Sequence, residues 1–66
     1  MSLEVTARER EILELFARGL TYAEAAQVLG ISTNTIRHHV RGLYRKLDVS
    51  SKVEAVLKIV ALSDEK

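Results

Sequence analysis

Apolar residues recur along this chain at helical spacing, and an alternating, strand-like pattern is not sustained anywhere in it. The clearest periodicity lies in residues 33–47, where apolar side chains three or four positions apart would share one side of a helix. Those residues are Ile36, Val40, Leu43, Tyr44 and Leu47. The chain has no proline to interrupt a helix. The pattern therefore predicts an all-α fold.

The ends of the helices can be assigned from capping residues. In a capping box, a hydroxyl and an acid three residues later satisfy free amides at a helix start. Such pairs are Thr6 with Glu9, Thr21 with Glu24, and Ser51 with Glu54. Ser32 is a suitable N-cap for the remaining helix, and Gly19 and Gly30 can end the first two because glycine tolerates positive φ. We predict a four-helix bundle with helices at about residues 7–18, 22–29, 33–47 and 52–62.

A chain of 66 residues makes one domain at most, and it buries only about 60% of the surface that its unfolded form exposes. We expect residues 1–66 to form a single domain, with an ordered core at 4–62 and a polar tail at 63–66 that frays.

Gly42, inside the third helix, costs roughly 1 kcal/mol relative to alanine. Close approach by another helix or by a phosphate backbone would explain this glycine, and the sequence leaves both open.

Positive charge is concentrated on the third predicted helix. The whole chain has a net charge of +1, but residues 25–47 hold four basic side chains and no acidic one. The polar face of this helix consists of Asn34, Arg37, His38, Arg41 and Arg45. A helix with one apolar and one basic face can read nucleic acid. The alternative is an ordinary solvated helix, although such a surface usually mixes charges of both signs.

Three positions in the second and third helices and in the turn between them favour a helix-turn-helix. Ala26 keeps side-chain bulk out of the crossing between the two helices, Gly30 makes the tight turn, and Ile36 fills the angle between them. Alanine and glycine are common, so these three positions alone are a weak match to a helix-turn-helix. The short helix before the turn and the basic helix after it make the match stronger. The combination indicates a DNA-binding unit.

The similarity to a known family extends well beyond this motif. The residues that carry it are Thr6, Arg8, Glu9, Glu11, Ile12, Leu13, Gly19, Leu20, Glu24, Ala26, Leu29, Gly30, Ile31, Ser32, Thr35, Ile36, Arg37, His39, Lys46, Leu47, Ser51, Glu54 and Ala55. With this spacing, residues 5–60 closely resemble the DNA-binding output domain of LuxR/NarL/FixJ-type (GerE-like) transcription regulators. The resemblance implies a four-helix fold whose third helix enters the major groove and whose fourth helix is available for dimerisation.

The resemblance also implies which side chains face DNA. Arg37, His38 and Arg41 match family positions that do so, and the helical pattern independently puts them on the polar face. Tyr22 stands where the family has a polar residue, and its hydroxyl could donate to a phosphate. Asp48 stands where glycine is common, and aspartate tolerates the left-handed region better than most residues.

Other residues of the third helix are assigned by their position along it. Thr33, Asn34 and Thr35 lie at its N-terminus, where free amides and the helix dipole favour a phosphate, although simple capping would also explain them. Arg45 and Lys46 lie near the far end, where they would contact the DNA backbone or complement the C-terminal dipole.

The last predicted helix carries two apolar rows. The row expected to face the core consists of Val53, Val56, Leu57 and Val60. The second row consists of Ala55, Ile59 and Leu62. A second apolar row on a terminal helix predicts a self-complementary dimer contact. One alternative is that this row packs against an attached domain. Another is that it is a mildly apolar part of the surface with no partner.

Several other classes of protein are disfavoured. The chain has no cysteine, and the adjacent His38 and His39 would point in different directions, so no metal site is implied and His39 is assigned to packing or hydrogen bonding. The sequence shows no carboxylate pair, no nucleophile–base pair and no phosphate-binding loop, so it does not indicate an enzyme. We also expect no cofactor. The longest apolar run is too short to span a membrane, so we expect a cytoplasmic protein.

Our hypothesis is a transcription regulator, or its output domain, that binds double-stranded DNA as a homodimer. RNA polymerase is a further candidate partner, and a regulatory domain could lie outside these residues. One alternative is a module like region four of a sigma factor, which would bind promoter DNA as part of polymerase. Another is a helical adaptor that uses the basic face to bind an acidic protein.

Overall fold

The computed structural model describes residues 5–64, with side chains for residues 5–61. It contains four α-helices, which are α1 (Ala7–Ala17), α2 (Tyr22–Leu29), α3 (Thr33–Leu47) and α4 (Lys52–Asp64). No strand occurs among these residues, so the all-α, four-helix prediction is confirmed. None of the four helices is long and apolar enough to cross a membrane.

The helix boundaries differ slightly from those predicted at two places. α1 ends one residue earlier, at Ala17, and α4 continues to Asp64, two residues into the stretch expected to fray. Residue 4, the expected start of the ordered core, and residues 65–66 of the expected tail lie outside the described residues.

The helix starts follow the predicted capping chemistry. Thr6 and Thr21 each form a complete capping box with the glutamate three residues later. At α4 only half of the predicted box forms, since Ser51 Oγ accepts from the Glu54 amide (3.2 Å). The Glu54 carboxylate accepts from the amide of Ser50 (2.8 Å) instead of that of Ser51. All three starts thus rely on contacts within four residues of sequence.

Positive φ angles end three of the helices. Gly19 and Gly30 have φ angles of +93° and +71°, which glycine adopts without a steric penalty. The amide of Leu20 then donates to the carbonyl of Leu15 (3.2 Å), which closes the end of α1. Asp48 ends α3 with φ 59° and ψ 49°, the left-handed conformation considered for it from the sequence. The chain can therefore reverse direction after short turns.

α1 lies at the centre of the fold and packs against α2, α3 and α4. The first core cluster consists of Ile12, Leu15, Phe16, Ala25, Ala26, Ile36 and Val40. The second consists of Leu13, Leu43, Leu47 and Ala55. Ala26 is 3% exposed and Ile36 is fully buried, as expected for the crossing and the angle of a helix-turn-helix. This packing covers one side of α3 along its length and leaves the other side in solvent.

α4 docks through the opposite row to the one predicted. Ala55 is fully buried in the second cluster, and Ile59 packs against that cluster. Val53, Leu57 and Val60 were expected in the core but are 67%, 63% and 45% exposed. The prediction is wrong for these three residues, because α4 packs on the core through Ala55, with Val56 and Ile59 on either side of it. A helical period shows which residues share a face, but it does not show which of two apolar faces meets the core.

This docking also changes the dimer surface expected from the sequence. Ala55 is not available for a contact with a second molecule, and Ile59 is half-buried against the core. The side chain of Leu62 lies outside the described residues. Of the row expected to face the core, Val56 does so, because it is half-buried against the first cluster.

Gly42 is not explained by close approach of another helix within the domain. A methyl group added at this position would meet Oε2 of Glu9 at 3.8 Å, which is an ordinary van der Waals contact.

Candidate nucleic-acid interface

The exposed side of α3 forms a continuous polar surface next to the turn that joins α2 and α3. Its exposed members, here called the reading face, are Asn34, Arg37, His38, Arg41 and Arg45. The opposite side of α3 is buried in both core clusters. Because one side of α3 packs against the core along its length, the reading face lies on a rigid element.

The three residues expected to contact bases are all accessible. Arg37, His38 and Arg41 are exposed, and the two ion pairs among the described side chains involve none of them. The rings of His38 and His39 lie 6.3 Å apart between centroids with an interplanar angle of 66°. His39 is half-buried and lies beside the reading face. The described residues hold no group of three or more side chains suited to a metal ion.

The N-terminus of α3 is capped from within the chain. Ser32 Oγ accepts from the amide of Thr35 (3.1 Å), and the two hydroxyl oxygens are 2.9 Å apart. The Thr35 hydroxyl therefore lies within hydrogen-bond distance of the capping oxygen. Thr33 is half-buried, whereas Asn34 is exposed and is the residue here that a ligand can reach most easily.

Lys46 lies beside the reading face, in an ion pair that the sequence did not indicate. Its Nζ donates to Oε1 of Glu9 (2.8 Å), and the same oxygen accepts from the amide of Thr6 (3.0 Å). Burial raises the pKa of Glu9, but the hydrogen bonds from Lys46 and Thr6 outweigh it and hold the pKa below its ordinary value. Lys46 thus joins α3 to the start of α1, while Arg45 remains exposed.

Tyr22 and Tyr44 form a second unexpected pair, between α2 and α3. Their hydroxyl oxygens lie 3.1 Å apart, and the Tyr22 ring stacks on Phe16 with 5.1 Å between centroids and an interplanar angle of 21°. Burial raises the pKa of Tyr44, and the hydrogen bond to Tyr22 raises it further. The sequence pattern treated Tyr44 as part of an apolar stripe, and no local signal pairs it with a residue 22 positions away.

An apolar cleft of about 270 Å³ lies on another side of the domain, between α1 and α4. It is lined by Phe16, Lys52, Val53, Val56 and Leu57. Lys52 donates to the carbonyl of Leu20 (2.7 Å), and its Nζ lies 4.8 Å from the centroid of the Phe16 ring. The cation is therefore held at the edge of the cleft, next to the exposed apolar row of α4.

Comparison with known proteins confirms the resemblance found in the sequence. Residues 3–59 match the family model described as bacterial regulatory proteins, luxR family. SgaR from Hyphomicrobium methylovorum, a probable transcriptional regulatory protein, is 44% identical over 59 residues, which are 89% of this chain and 28% of SgaR. The nitrate/nitrite response regulator protein NarP from Escherichia coli (strain K12) is 43% identical over 53 residues, 80% of this chain and 25% of NarP. The chain thus spans roughly a quarter of the length of these curated relatives.

A solved structure agrees with the family match. Transcription factor GerE has a TM-score of 0.82 to this chain at 36% sequence identity, and the match covers 96% of this chain and 92% of the GerE chain. The helix-turn-helix formed by α2 and α3 is therefore shared in both sequence and structure. The chain belongs to the luxR family of bacterial regulatory proteins, as a DNA-binding helix-turn-helix domain.

Proposed function

We propose that this domain binds double-stranded DNA in a sequence-specific manner, with α3 in the major groove, as part of a transcription regulator. The observation that carries the proposal is the reading face, which combines arginines, a histidine and an amide with no acid. An α-helix fits the width of the major groove, and its exposed side chains can then reach base edges. The family membership favours this function over a sigma-factor module or an adaptor for an acidic protein.

Within the reading face, we assign most of the sequence reading to Arg37, His38 and Arg41. Arg37 and Arg41 are one helical turn apart, so they can address neighbouring bases, and an arginine fork on guanine contributes about 1–3 kcal/mol of discrimination. The residues assigned to backbone phosphates are Thr33, Asn34, Thr35, Arg45, Lys46 and Tyr22. Contacts of this second kind would position the domain on any sequence.

We further propose that the domain binds as a homodimer through α4. The support is the exposed apolar row of Val53, Leu57 and Val60, which lies beside the apolar cleft between α1 and α4. A row on one copy that fits the cleft of the other would make a self-complementary contact, as twofold symmetry requires. This surface replaces the row of Ala55 and Ile59, which packs into the core.

The proposed dimer would carry two copies of α3 and would therefore read two half-sites.

We infer that this domain is part of a longer cytoplasmic protein, in which an input domain controls its binding to DNA. RNA polymerase is a further proposed partner of that protein. The relatives are about four times as long as the matched region, and NarP is named a response regulator.

Selection of bound duplexes from a random DNA pool tests the function most directly. The proposal expects recovery of a preferred sequence arranged as two related half-sites. Fluorescence anisotropy on a recovered duplex should then show binding that weakens steeply with salt, because phosphate contacts release counterions. No duplex binding at low salt, or binding independent of salt, would refute DNA binding.

A variant at the reading face separates base reading from phosphate contact. Arg37→Ala should lose discrimination at particular base pairs, by about 1–3 kcal/mol. Anisotropy titrations against single-base variants of the recovered duplex measure this directly. An equal loss on every duplex would mean that Arg37 contacts the backbone alone.

A further inference from the structure

A shallow cleft at the edge of the reading face brings tyrosine hydroxyls and arginines together. It lies between the start of α2 and the middle of α3, with a volume of about 360 Å³. It is lined by Tyr22, Arg37, Val40, Arg41 and Tyr44. Val40 is 4% exposed and belongs to the core, so the polar groups of the cleft rest on a packed base.

The tyrosine pair has one more hydrogen-bond donor than it uses internally. A single hydrogen bond joins the two hydroxyls, so one of the two O–H groups remains available to a ligand. Geometry allows either oxygen to be the donor. If Tyr44 donates to Tyr22, Tyr22 keeps its own O–H for the cleft.

The other polar groups of the cleft are cationic. Arg37 and Arg41 are exposed, and neither takes part in the ion pairs formed among the described side chains. No acidic residue is among the five that line the cleft. Two guanidinium groups and a hydroxyl donor, without a competing carboxylate, suit an oxyanion, and the arginine fork matches phosphate oxygens in particular.

We propose that this cleft binds one phosphodiester group of the DNA backbone, through the Tyr22 O–H and the guanidinium groups of Arg37 and Arg41. Tyr44 is a positioning residue, because its hydrogen bond orients the Tyr22 hydroxyl. Each guanidinium has five N–H donors, so a phosphate contact leaves donors for a base edge. The inference rests on the proposed DNA binding and names the chemical group that fixes α3 in the groove.

The first test compares Tyr22→Phe with Tyr44→Phe by anisotropy on a duplex recovered from the random pool. Tyr22→Phe keeps the ring that stacks on Phe16, and it should weaken binding about ten- to a hundred-fold, the range of one hydrogen bond to a charged group. The loss should be the same on duplexes of unrelated sequence, because every duplex offers a phosphate. Tyr44→Phe keeps the donating O–H of Tyr22 and should lose less. Thermal melts of both variants check that the fold is retained.

The salt dependence distinguishes the hydroxyl from the arginines. Tyr22→Phe should leave the slope of log K against log salt unchanged, because a neutral donor releases no counterion. The double variant Arg37→Gln, Arg41→Gln should reduce the magnitude of that slope by about 1, since the phosphate in the cleft then has no cation to neutralise it. A changed slope in Tyr22→Phe, or an unchanged slope in the double variant, contradicts the assignment.

The second test replaces single phosphates of the duplex with neutral methylphosphonates, one at a time. At the phosphate bound in the cleft, the effect of Tyr22→Phe should shrink, whereas at other positions it should stay constant. Wild-type affinity for Tyr22→Phe on all duplexes, a greater loss in Tyr44→Phe, or an effect that is constant at every phosphate would overturn the inference while leaving DNA binding intact. Failure of the wild-type domain to bind any duplex would refute the proposed function itself.

Discussion

The ion pair between α1 and α3 should contribute to stability, and its magnitude follows from its surroundings. Glu9 is 6% exposed and accepts hydrogen bonds from Lys46 and from the amide of Thr6. In Glu9→Gln the side-chain oxygen can still accept from Thr6, but the charge that binds Lys46 is lost. A hydrogen bond to a charged group contributes about 1.5–3 kcal/mol. Because the Lys46 side chain is 36% exposed and partly screened, we expect a loss of about 1–2 kcal/mol.

Urea and thermal denaturation of the isolated domain measure this loss. For a domain of this size, a loss of about 1–2 kcal/mol should lower Tm by roughly 5–15 °C. Glu11→Gln is the matched control, because Glu11 pairs with Arg8 at 3.4 Å on the surface, with side chains 55% and 42% exposed. Its effect should stay below about 0.5 kcal/mol. Equal effects of the two substitutions, or a Glu9→Gln domain as stable as wild type, would refute the reasoning.

The same pair predicts a particular pH dependence. The pKa of Glu9 is lower in the folded domain than its ordinary value of 4.5, since the hydrogen bonds from Lys46 and Thr6 outweigh the opposing effect of burial. The unfolded chain therefore binds the proton more readily, so the contribution is present above the unfolded pKa and is lost as pH falls through the folded pKa. As the pH falls below 4.5, wild-type stability should fall more steeply than that of Glu9→Gln. Parallel curves would exclude this role for Glu9.

Three further substitutions test other parts of the structure. Gly42→Ala should raise the free energy of unfolding by about 0.5–1 kcal/mol, measured in urea, since the added methyl meets nothing closer than 3.8 Å; a loss of stability would show unseen crowding. Asp48→Gly should stabilise by roughly 0.5–1 kcal/mol in the same assay, because it removes a left-handed non-glycine residue and an anion at a helix C-terminus. Leu57→Asp should abolish the dimer in analytical ultracentrifugation and leave the melt nearly unchanged, because Leu57 is 63% exposed; a persistent dimer would exclude this surface.

The local features of this fold could be predicted from the sequence, because residues close in the chain determine them. Thr6, Thr21 and Ser32 cap their helices by accepting from an amide three residues later, and Gly19 and Gly30 end helices through their own φ angles. The apolar stripe of α3 faces the core for the same reason, since its period is that of the helix. The reading face then follows as the other side of α3.

Features that join distant residues could not be predicted in this way. The pair of Glu9 and Lys46 spans 37 positions and the pair of Tyr22 and Tyr44 spans 22, so neither leaves a local pattern in the sequence. The charge of Lys46 indicated a contact with the DNA backbone or with the helix dipole, but no local pattern indicated that the Glu9 carboxylate lies beside it. The helical period placed the ring of Tyr44 in an apolar stripe. It could not indicate that the hydroxyl of Tyr44 pairs with the hydroxyl of Tyr22.

α4 shows most clearly what the tertiary structure decided. Its sequence carries two apolar rows of the same helical period, and each is compatible with burial. The row that is buried contains Ala55, which is fully enclosed by the second cluster, and Ile59, which packs against that cluster. The sequence by itself therefore determined four helices and a basic reading face on α3. Which apolar row remains exposed for a second molecule was decided only when the helices packed, since packing depends on the shapes of surfaces that are distant in the chain.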